Sequence, residues 1–184
     1  RFLIICRNKC EILIFSIKSQ KNLYKIIPKT MQHKEIKCID ITDDLLDIIV
    51  GYKDGTIAFI NIRTSEIKYS TNKIHKDTSC LEIKIHKKDK ENEIYFISSG
   101  GDGQVFYSSF KKLIFWRFSS NLIIKNDTPI FMIKIICISS KNQNYYAKLY
   151  SLRKYVLLGS IEEIKLFCLE QKIEQILEIK KPES

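Results

Sequence analysis

Two histidine–cysteine pairs contain residue types that could bind a metal ion. His33 precedes Cys38 by the same spacing with which His75 precedes Cys80, and imidazole and thiolate are common zinc ligands. The two pairs are 42 residues apart, and each belongs to a similar segment, HKEIKCIDI in one case and HKDTSCLEI in the other. A recurrence of this length indicates a repeat architecture. We therefore interpret the cysteines as apolar strand residues and expect neither a metal ion nor another cofactor.

The stretch SSGGDG at residues 98–103 contains three glycines that could cradle a phosphate group. It lacks the Gly-Lys-Ser/Thr sequence of a P-loop, and a strand rather than a helix is predicted after it. Nucleophilic catalysis needs Ser or Cys beside His and an orienting acid. The chain has these residue types but no nucleophile elbow or equivalent setting. We therefore predict a tight β-turn at Gly100, Gly101 and Gly103, and no enzymatic activity.

The net charge of +10 permits two interpretations. A basic protein can bind nucleic acid or an anionic membrane surface. Alternatively, the lysines are general surface residues, which we favour because they are spread from Lys9 to Lys181. The hydrophobic share of 45% is in the globular range.

Cysteine usage and hydropathy indicate a cellular setting. The six cysteines include no Cys-x-x-Cys pair, and no secretory signal leads the chain. We therefore expect a reducing, intracellular compartment. No apolar run approaches the roughly 18 residues of a membrane helix. Because the sequence begins with Arg1 rather than Met, we expect it to be a fragment.

Short runs rich in β-branched and aromatic residues predict an all-β fold. The first complete unit has predicted strands at 36–41, 46–50, 57–62 and 67–71, with a turn at 51–55. The second has predicted strands at 80–85, 94–98, 105–110 and 113–118, with a solvated charged loop at 87–93. A looser third unit has predicted strands at 131–139, 155–159, 164–169 and 173–179.

The repeat also extends towards the beginning of the sequence, where residues 11–17 align with residues 56–62. Periods near 40–45 residues with about four short strands per unit are typical of propeller blades. We therefore predict a single incomplete domain over 1–184, a partial WD-repeat-like β-propeller of about three and a half four-stranded antiparallel blades. The predicted bounds are a blade remnant at 1–30 and blades at 33–74, 75–120 and 128–180.

The segment GTIAFINIRTSE at residues 55–66 resembles the end of a WD repeat. Ile60-Asn61 takes the place of the Trp-Asp pair, and His75 stands where the histidine of the family's Gly-His would fall. The resemblance implies that His75 joins a hydrogen-bond network with an Asp in the turn, and Asp54 is in the turn here. The predicted structural turn and repeat positions are Gly51, Asp54, Gly55, His75, Gly100, Gly101 and Gly103.

A sharper resemblance lies in ISSGGDGQVFYSSFKK at residues 97–112. Its Ser-Gly-Gly turn, Val-Phe pair and Ser-Phe-Lys-Lys end are similar to the propeller of the vacuolar protein sorting-associated protein 8 family. The order of the flanking segments also matches, from residue 36 to residue 169, and GYKDGTIAFINIRTSE precedes the motif as LYSLRKYVLLGSIEEIKLF follows it.

This resemblance implies a protein–protein interaction scaffold in a CORVET tethering complex, which captures vesicles at early endosomes. The implied partners are other tethering subunits and an endosomal Rab GTPase. The implied location is cytoplasmic, on endosomal membranes, with peripheral attachment through those partners. In the full proteins of the family a helical solenoid and a zinc RING follow the propeller, and neither lies within these residues.

Phe115, Trp116 and Arg117 form a candidate partner surface, because Trp and Arg are enriched in binding hot spots. We favour the simpler interpretation, an outer-strand aromatic packed on the next blade. The basic run at residues 86–90 could likewise contact phospholipid or acidic partners, although a solvated loop is the favoured interpretation. The alternative function is an RNA-associated WD-repeat scaffold with a basic surface, but we expect nucleic acid not to be the partner.

Overall fold

The computed structural model describes residues 2–7, 10–89, 93–141, 150–159 and 164–168. The predicted strand at 173–179 lies outside these ranges, as do residues 142–148 of a polar connection predicted at 141–148. The described part consists of β-strands and connecting turns, with a single 3-10 turn at Lys29–Met31.

The strands follow one another as antiparallel hairpins, which is the arrangement that short alternating runs separated by turns predict. Their bounds are β1 (Phe2–Arg7), β2 (Glu11–Ser16), β3 (Lys21–Ile26), β4 (Ile36–Ile41), β5 (Asp47–Tyr52), β6 (Ile57–Asn61), β7 (Ile67–Ser70), β8 (Cys80–Asp89), β9 (Glu93–Gly100), β10 (Gln104–Lys112), β11 (Trp116–Lys125), β12 (Met132–Lys141), β13 (Tyr150–Gly159) and β14 (Ile164–Cys168).

These strands form four successive sheets in the described residues, each made of neighbours in sequence. The first sheet is β1-β2-β3, the second β4-β5-β6-β7, the third β8-β9-β10-β11 and the fourth β12-β13-β14. Strand β2 lies between β1 and β3 just as β6 lies between β5 and β7. The prediction of an all-β, partial propeller is confirmed, with two sheets of four strands and two of three in the described ranges.

Alternating residues of the middle strands pack against different neighbouring sheets. Ile48 and Val50 of β5 join a core cluster with the first sheet, whereas Ile49 joins one with the third. Phe96 of β9 faces the second sheet, and its neighbour Ile97 belongs to the cluster with residues at and before β12. Because side chains alternate along a strand, the second and third sheets each bury both of their faces, as stacked propeller blades do.

The predicted charged loop at 87–93 is wrong for the residues that the structure describes there. Strand β8 continues to Asp89 and β9 begins at Glu93, so that Lys87 pairs with Tyr95 and Lys88 with Ile94. The pairing uses backbone groups, so charged side chains do not prevent it. The hairpin is therefore longer than the apolar pattern indicated.

Candidate functional site

A buried histidine network supports the turn between β9 and β10. His75 lies in the segment that leads into β8, and its side chain is 0% exposed. Its Nδ1 is 3.1 Å from Asp102 Oδ1, and its Nε2 is 3.1 Å from Ser98 Oγ. Asp102 Oδ1 also accepts a hydrogen bond of 3.1 Å from the backbone N–H of Gln104. The network thus connects the entering chain to β9 and to the turn that follows it.

The environment holds His75 in its neutral form. Burial lowers its pKa below the ordinary value of 6.5, and the opposing effect of Asp102 is smaller. A neutral imidazole has one donor and one acceptor nitrogen. Because Asp102 acts as an acceptor in the turn, we assign the proton to Nδ1, which leaves Nε2 to accept a hydrogen bond from the Ser98 hydroxyl.

Ser98, His75 and Asp102 have the residue types and the order of contacts of a hydrolytic triad. A nucleophile must reach its substrate, however, and both Ser98 and His75 are 0% exposed. The arrangement therefore serves the structure of the turn. Sequence reasoning missed Ser98 and Asp102 as partners of His75, although both lie in the motif that indicated the turn.

His75 contacts Asp102 rather than Asp54, the turn acid that the family resemblance suggested. Asp54 instead binds Lys34, with 2.6 Å between Lys34 Nζ and Asp54 Oδ2. The same ammonium group lies 2.7 Å from Thr56 Oγ1, and the Thr56 N–H donates to Asp54 Oδ1. His75 contacts Asp102 because the segment that contains His75 leads into the third sheet and lies beside the turn of that sheet. Burial alone would raise the pKa of Asp54, but the bonds from Lys34 and Thr56 outweigh it and lower this pKa.

Gly55 and Gly103 end the two turns in the same conformation. Their φ angles are +79° and +70°, in the left-handed region that favours glycine. A Cβ at Gly55 would lie 1.9 Å from the carbonyl oxygen of His75, and one at Gly103 would lie 2.1 Å from that of Asn126. Both glycines therefore allow the next inter-sheet segment to pass close to the turn.

The remaining predicted glycines have other environments. Gly51 lies inside β5, not in the turn predicted to begin there, because the strand extends to Tyr52. Its close neighbours are sulfur atoms: a Cβ there would be 2.6 Å from Cys38 Sγ. At Gly100 a Cβ would be 2.3 Å from His75 Nδ1, whereas at Gly101 the nearest atom, in Thr78, would be 3.3 Å away. Gly100 thus makes room for the buried imidazole.

Cys38 and Cys80 connect the first strands of neighbouring sheets. Their sulfur atoms are 3.6 Å apart, and both cysteines are free. The hydrogen bond with Cys38 and burial raise the pKa of the Cys80 thiol well above its ordinary value. His33, the predicted companion of Cys38, is exposed. Within the described ranges, no group of three or more potential metal ligands lies together.

Asp40 is a second tie between these sheets that sequence reasoning missed. Its Oδ2 accepts a hydrogen bond of 2.7 Å from the backbone N–H of Ile85 in β8. Burial raises its pKa, and the bond from Ile85 opposes that effect. The sequence contained one indication of this contact. Side chains alternate along β4, so that Asp40 lies on the same strand face as Cys38.

The predicted partner surface divides into an exposed tip and a packed base. Leu113, Ile114 and Phe115 form the connection between β10 and β11 and are 59%, 85% and 79% exposed. Trp116 begins β11, half-buried, with its ring centroid 5.0 Å from that of Phe59 in an edge-to-face contact. Arg117 is exposed. The strand predicted at 113–118 therefore begins only at Trp116. Residues 113–115 instead protrude as the tip of the hairpin.

Successive antiparallel sheets that share their faces, with turns supported by a His–Asp or Lys–Asp pair, define a β-propeller of the WD-like class. The sequence matches the Vps8 beta-propeller family over residues 1–184. The chain therefore belongs to the Vps8 β-propeller family, a scaffold-type domain of vesicle tethering and vacuolar sorting.

Comparison with solved structures supports the fold alone. The chain is similar to the crystal structure of the computationally designed Ika4 protein, with a TM-score of 0.56 and 12% identity. The similarity covers 91% of this chain and 84% of the designed one. No curated protein matches the chain in sequence. No helix in the described ranges is long and apolar enough to cross a bilayer.

Proposed function

We propose that this propeller is a protein–protein interaction scaffold of a CORVET-type complex that tethers vesicles at endosomes. The match to the Vps8 propeller family over the whole sequence is the observation that carries the proposal. The partners are an endosomal Rab GTPase and other tethering subunits. The protein acts in the cytoplasm, attached peripherally to endosomal membranes, and has no catalytic role.

The structure supports a binding role through its surface. The polar constellation with catalytic residue types, around His75, is buried and supports a turn. The β10–β11 connection instead presents three consecutive apolar side chains beside Arg117. Binding residues are often found in loops held by a rigid scaffold. We therefore propose the β10–β11 tip, with Phe115 and Arg117, as a contact surface at the endosome that is separate from the sites for the Rab GTPase and the tethering subunits, and Trp116 as its anchor.

The basic charge gives little support to RNA binding. Many lysines of the described part pair with nearby carboxylates, among them Lys25 with Glu11 of the adjacent strand and Lys84 with Glu82 of its own strand. These pairs are distributed over separate sheets. RNA recognition would instead need a continuous basic stripe or aromatic platforms for stacking bases.

The proposal is tested by capture of partners with the intact protein in the absence of membranes. We expect binding of endosomal Rab GTPases in the GTP-bound form, weaker binding of the GDP-bound form, and capture of tethering subunits. Rab GTPases of other compartments are the matched control. Equal binding of all Rab proteins in both nucleotide states, or of none, together with no tethering subunit, would contradict the proposal.

A further inference from the structure

The β10–β11 tip breaks the usual chemistry of a tight turn. Gly, Asn, Asp and Ser dominate such connections because they accept unusual backbone angles and interact well with water. Here the connection consists of Leu113, Ile114 and Phe115, with 85% of Ile114 exposed. Exposed, contiguous apolar side chains do not stabilise the fold, and they often indicate an interaction surface.

The corresponding hairpins of the neighbouring sheets follow the usual rules. After β6, Asn61 Oδ1 accepts hydrogen bonds from the backbone N–H groups of Arg63 and Thr64, and Ser65 has a φ of +61°. After β2, Ser16 Oγ accepts a bond from the Ser19 N–H, and Gln20 has a φ of +53°. Among the three corresponding hairpins that the structure describes, the apolar tip thus occurs only in the third sheet and is not a requirement of the repeat.

An aromatic cluster holds the base of this hairpin. Phe110, near the end of β10, stacks on Phe59 of the second sheet and on Phe96 of its own sheet, at 5.5 Å and 5.1 Å. On the other strand, Trp116 contacts Phe59, and Phe118 contacts Phe110. Since both strands are anchored immediately below the connection, the tip is a pre-positioned projection.

Basic side chains surround the tip. Lys111, Lys112 and Arg117 are exposed within two residues of it. Glu93 lies 3.5 Å from Lys111 and offsets that charge. Lys112 and Arg117 make no ion pair with any residue that the structure describes. The local surface therefore combines an apolar apex with a cationic margin.

We propose that this tip inserts into the interfacial region of a bilayer that contains anionic lipids. Leu113, Ile114 and Phe115 would bury apolar surface at the boundary between headgroups and acyl chains, while Lys112 and Arg117 would meet lipid phosphates. A protein hot spot is commonly a central anchor in a packed pocket with a polar rim. A projecting run of three apolar residues with flanking cations fits a membrane surface better.

The inference rests on the proposed function, since it names the kind of surface that the exposed tip contacts at the endosome. It adds a direct membrane contact to recruitment through partners. A tip that only touches the bilayer interface would bind weakly alone, because stable attachment needs more than one signal. The tip and a membrane-bound partner would therefore reinforce each other.

The test is co-sedimentation of the intact protein with vesicles of phosphatidylcholine, with or without phosphatidylserine. We expect preferential binding to the anionic vesicles. Joint replacement of Ile114→Ser and Phe115→Ser should weaken binding at least about tenfold, because each lost apolar contact is worth that much when fully buried. Lys112→Gln and Arg117→Gln should each weaken it about fivefold.

Two matched control substitutions lie in β11, away from the tip. Leu122→Ser removes another exposed apolar side chain, and Lys125→Gln removes another exposed cation, so both should leave vesicle binding unchanged. Hydrogen exchange provides a local readout: anionic vesicles should slow exchange at residues 113–115. Unchanged exchange in β9 would show that the tip variants remain folded.

Three outcomes would overturn the membrane inference. These are equal binding to neutral and anionic vesicles, vesicle binding that is insensitive to the tip substitutions, and tip variants that lose a protein partner while they retain vesicle binding. Rab and subunit capture without membranes should survive in the tip variants. The two proposals can therefore fail separately: loss of vesicle binding alone concerns the tip, and absence of partner capture concerns the tethering role.

Discussion

The turns after β5 and β9 have the same backbone hydrogen bond, but different side chains bind the Asp of each turn. In each, the glycine N–H donates a 3.1 Å hydrogen bond to the residue three positions earlier, from Gly55 to Tyr52 and from Gly103 to Gly100. In the first turn the Asp binds the half-buried ammonium group of Lys34, and in the second it binds the buried imidazole of His75. The repeat thus retains an acceptor in the turn but changes the donor.

The change of donor is matched by a change at the start of each turn. The residue that begins the first turn is the buried Tyr52, and its counterpart in the second is Gly100. The His75 ring occupies the volume that a side chain at Gly100 would need. A histidine support therefore requires a small residue at that position, and the lysine support does not.

The largest predicted difference between the turns comes from deletion of their donors. His75→Ala should reduce the free energy of opening of β9 and β10 by about 2–4 kcal/mol, because it leaves a cavity and removes the partner of Ser98 and Asp102. Hydrogen exchange of the β9 and β10 amides in the intact protein measures this. The control is His33→Ala, which removes an exposed histidine and should change little. A loss below about 0.5 kcal/mol for His75→Ala would contradict a supporting role.

The second prediction concerns the coupling of His75 with Gly100. Gly100→Ala should cost about 1–3 kcal/mol, since its Cβ would overlap the imidazole and force the surroundings to shift. In a His75→Ala background the cost should be much smaller, because the obstructing ring is absent and the Asp102 carboxylate, 2.7 Å from that Cβ, is released from its bond to His75. A double-mutant cycle by hydrogen exchange measures this coupling. Gly101→Ala is the matched control, as its Cβ would meet only Thr78 at 3.3 Å. Strict additivity of the His75 and Gly100 effects would refute the steric explanation.

These residues also show how much could be predicted from sequence. The 42-residue recurrence and the Asp-Gly turns predicted the repeated strands and the propeller class, because turn chemistry and alternation are local properties. The choice between Asp54 and Asp102 as the partner of His75 was not local. Both acids stand in equivalent turns, and only the path of the chain into β8 distinguishes them.

The β10–β11 tip shows that an apolar run in the sequence does not reveal which of its side chains are buried. Residues 113–118 were predicted as a strand because they form an apolar and aromatic run, which is usually buried. The structure instead places Leu113, Ile114 and Phe115 in the connection. The pattern identified Phe115, Trp116 and Arg117 as candidates, but it could not reveal that Trp116 packs inward while Phe115 projects outward.

The third prediction separates the two turns by pH. Because burial lowers the pKa of His75, its neutral form contributes stability that is complete above pH 6.5 and is lost as the pH falls through the folded-state pKa. The pKa of Asp54 is lowered from 3.8, so the support from Lys34 is lost only in a more acidic range. Exchange at β9 should therefore accelerate below pH 6.5, after correction for the intrinsic rate, before exchange at β5 does. The non-titrating variant His75→Gln should remove this early phase. Its persistence in that variant would assign the phase to another group.

The smallest predicted effect is that of the lysine support. Lys34→Met should cost only about 0–1 kcal/mol, because partly exposed ion pairs contribute little. Added salt should reduce this cost further by screening the pair with Asp54, whereas the cost of His75→Ala should be insensitive to salt because the imidazole is buried and neutral. Hydrogen exchange in β5 and β9 at low and high ionic strength compares the two. If Lys34→Met proved as costly as His75→Ala and independent of salt, the lysine would have to act through packing of its alkyl chain. The two side chains would then stabilise their turns equally. The difference between histidine and lysine would change the chemistry of the contact but not its contribution to stability.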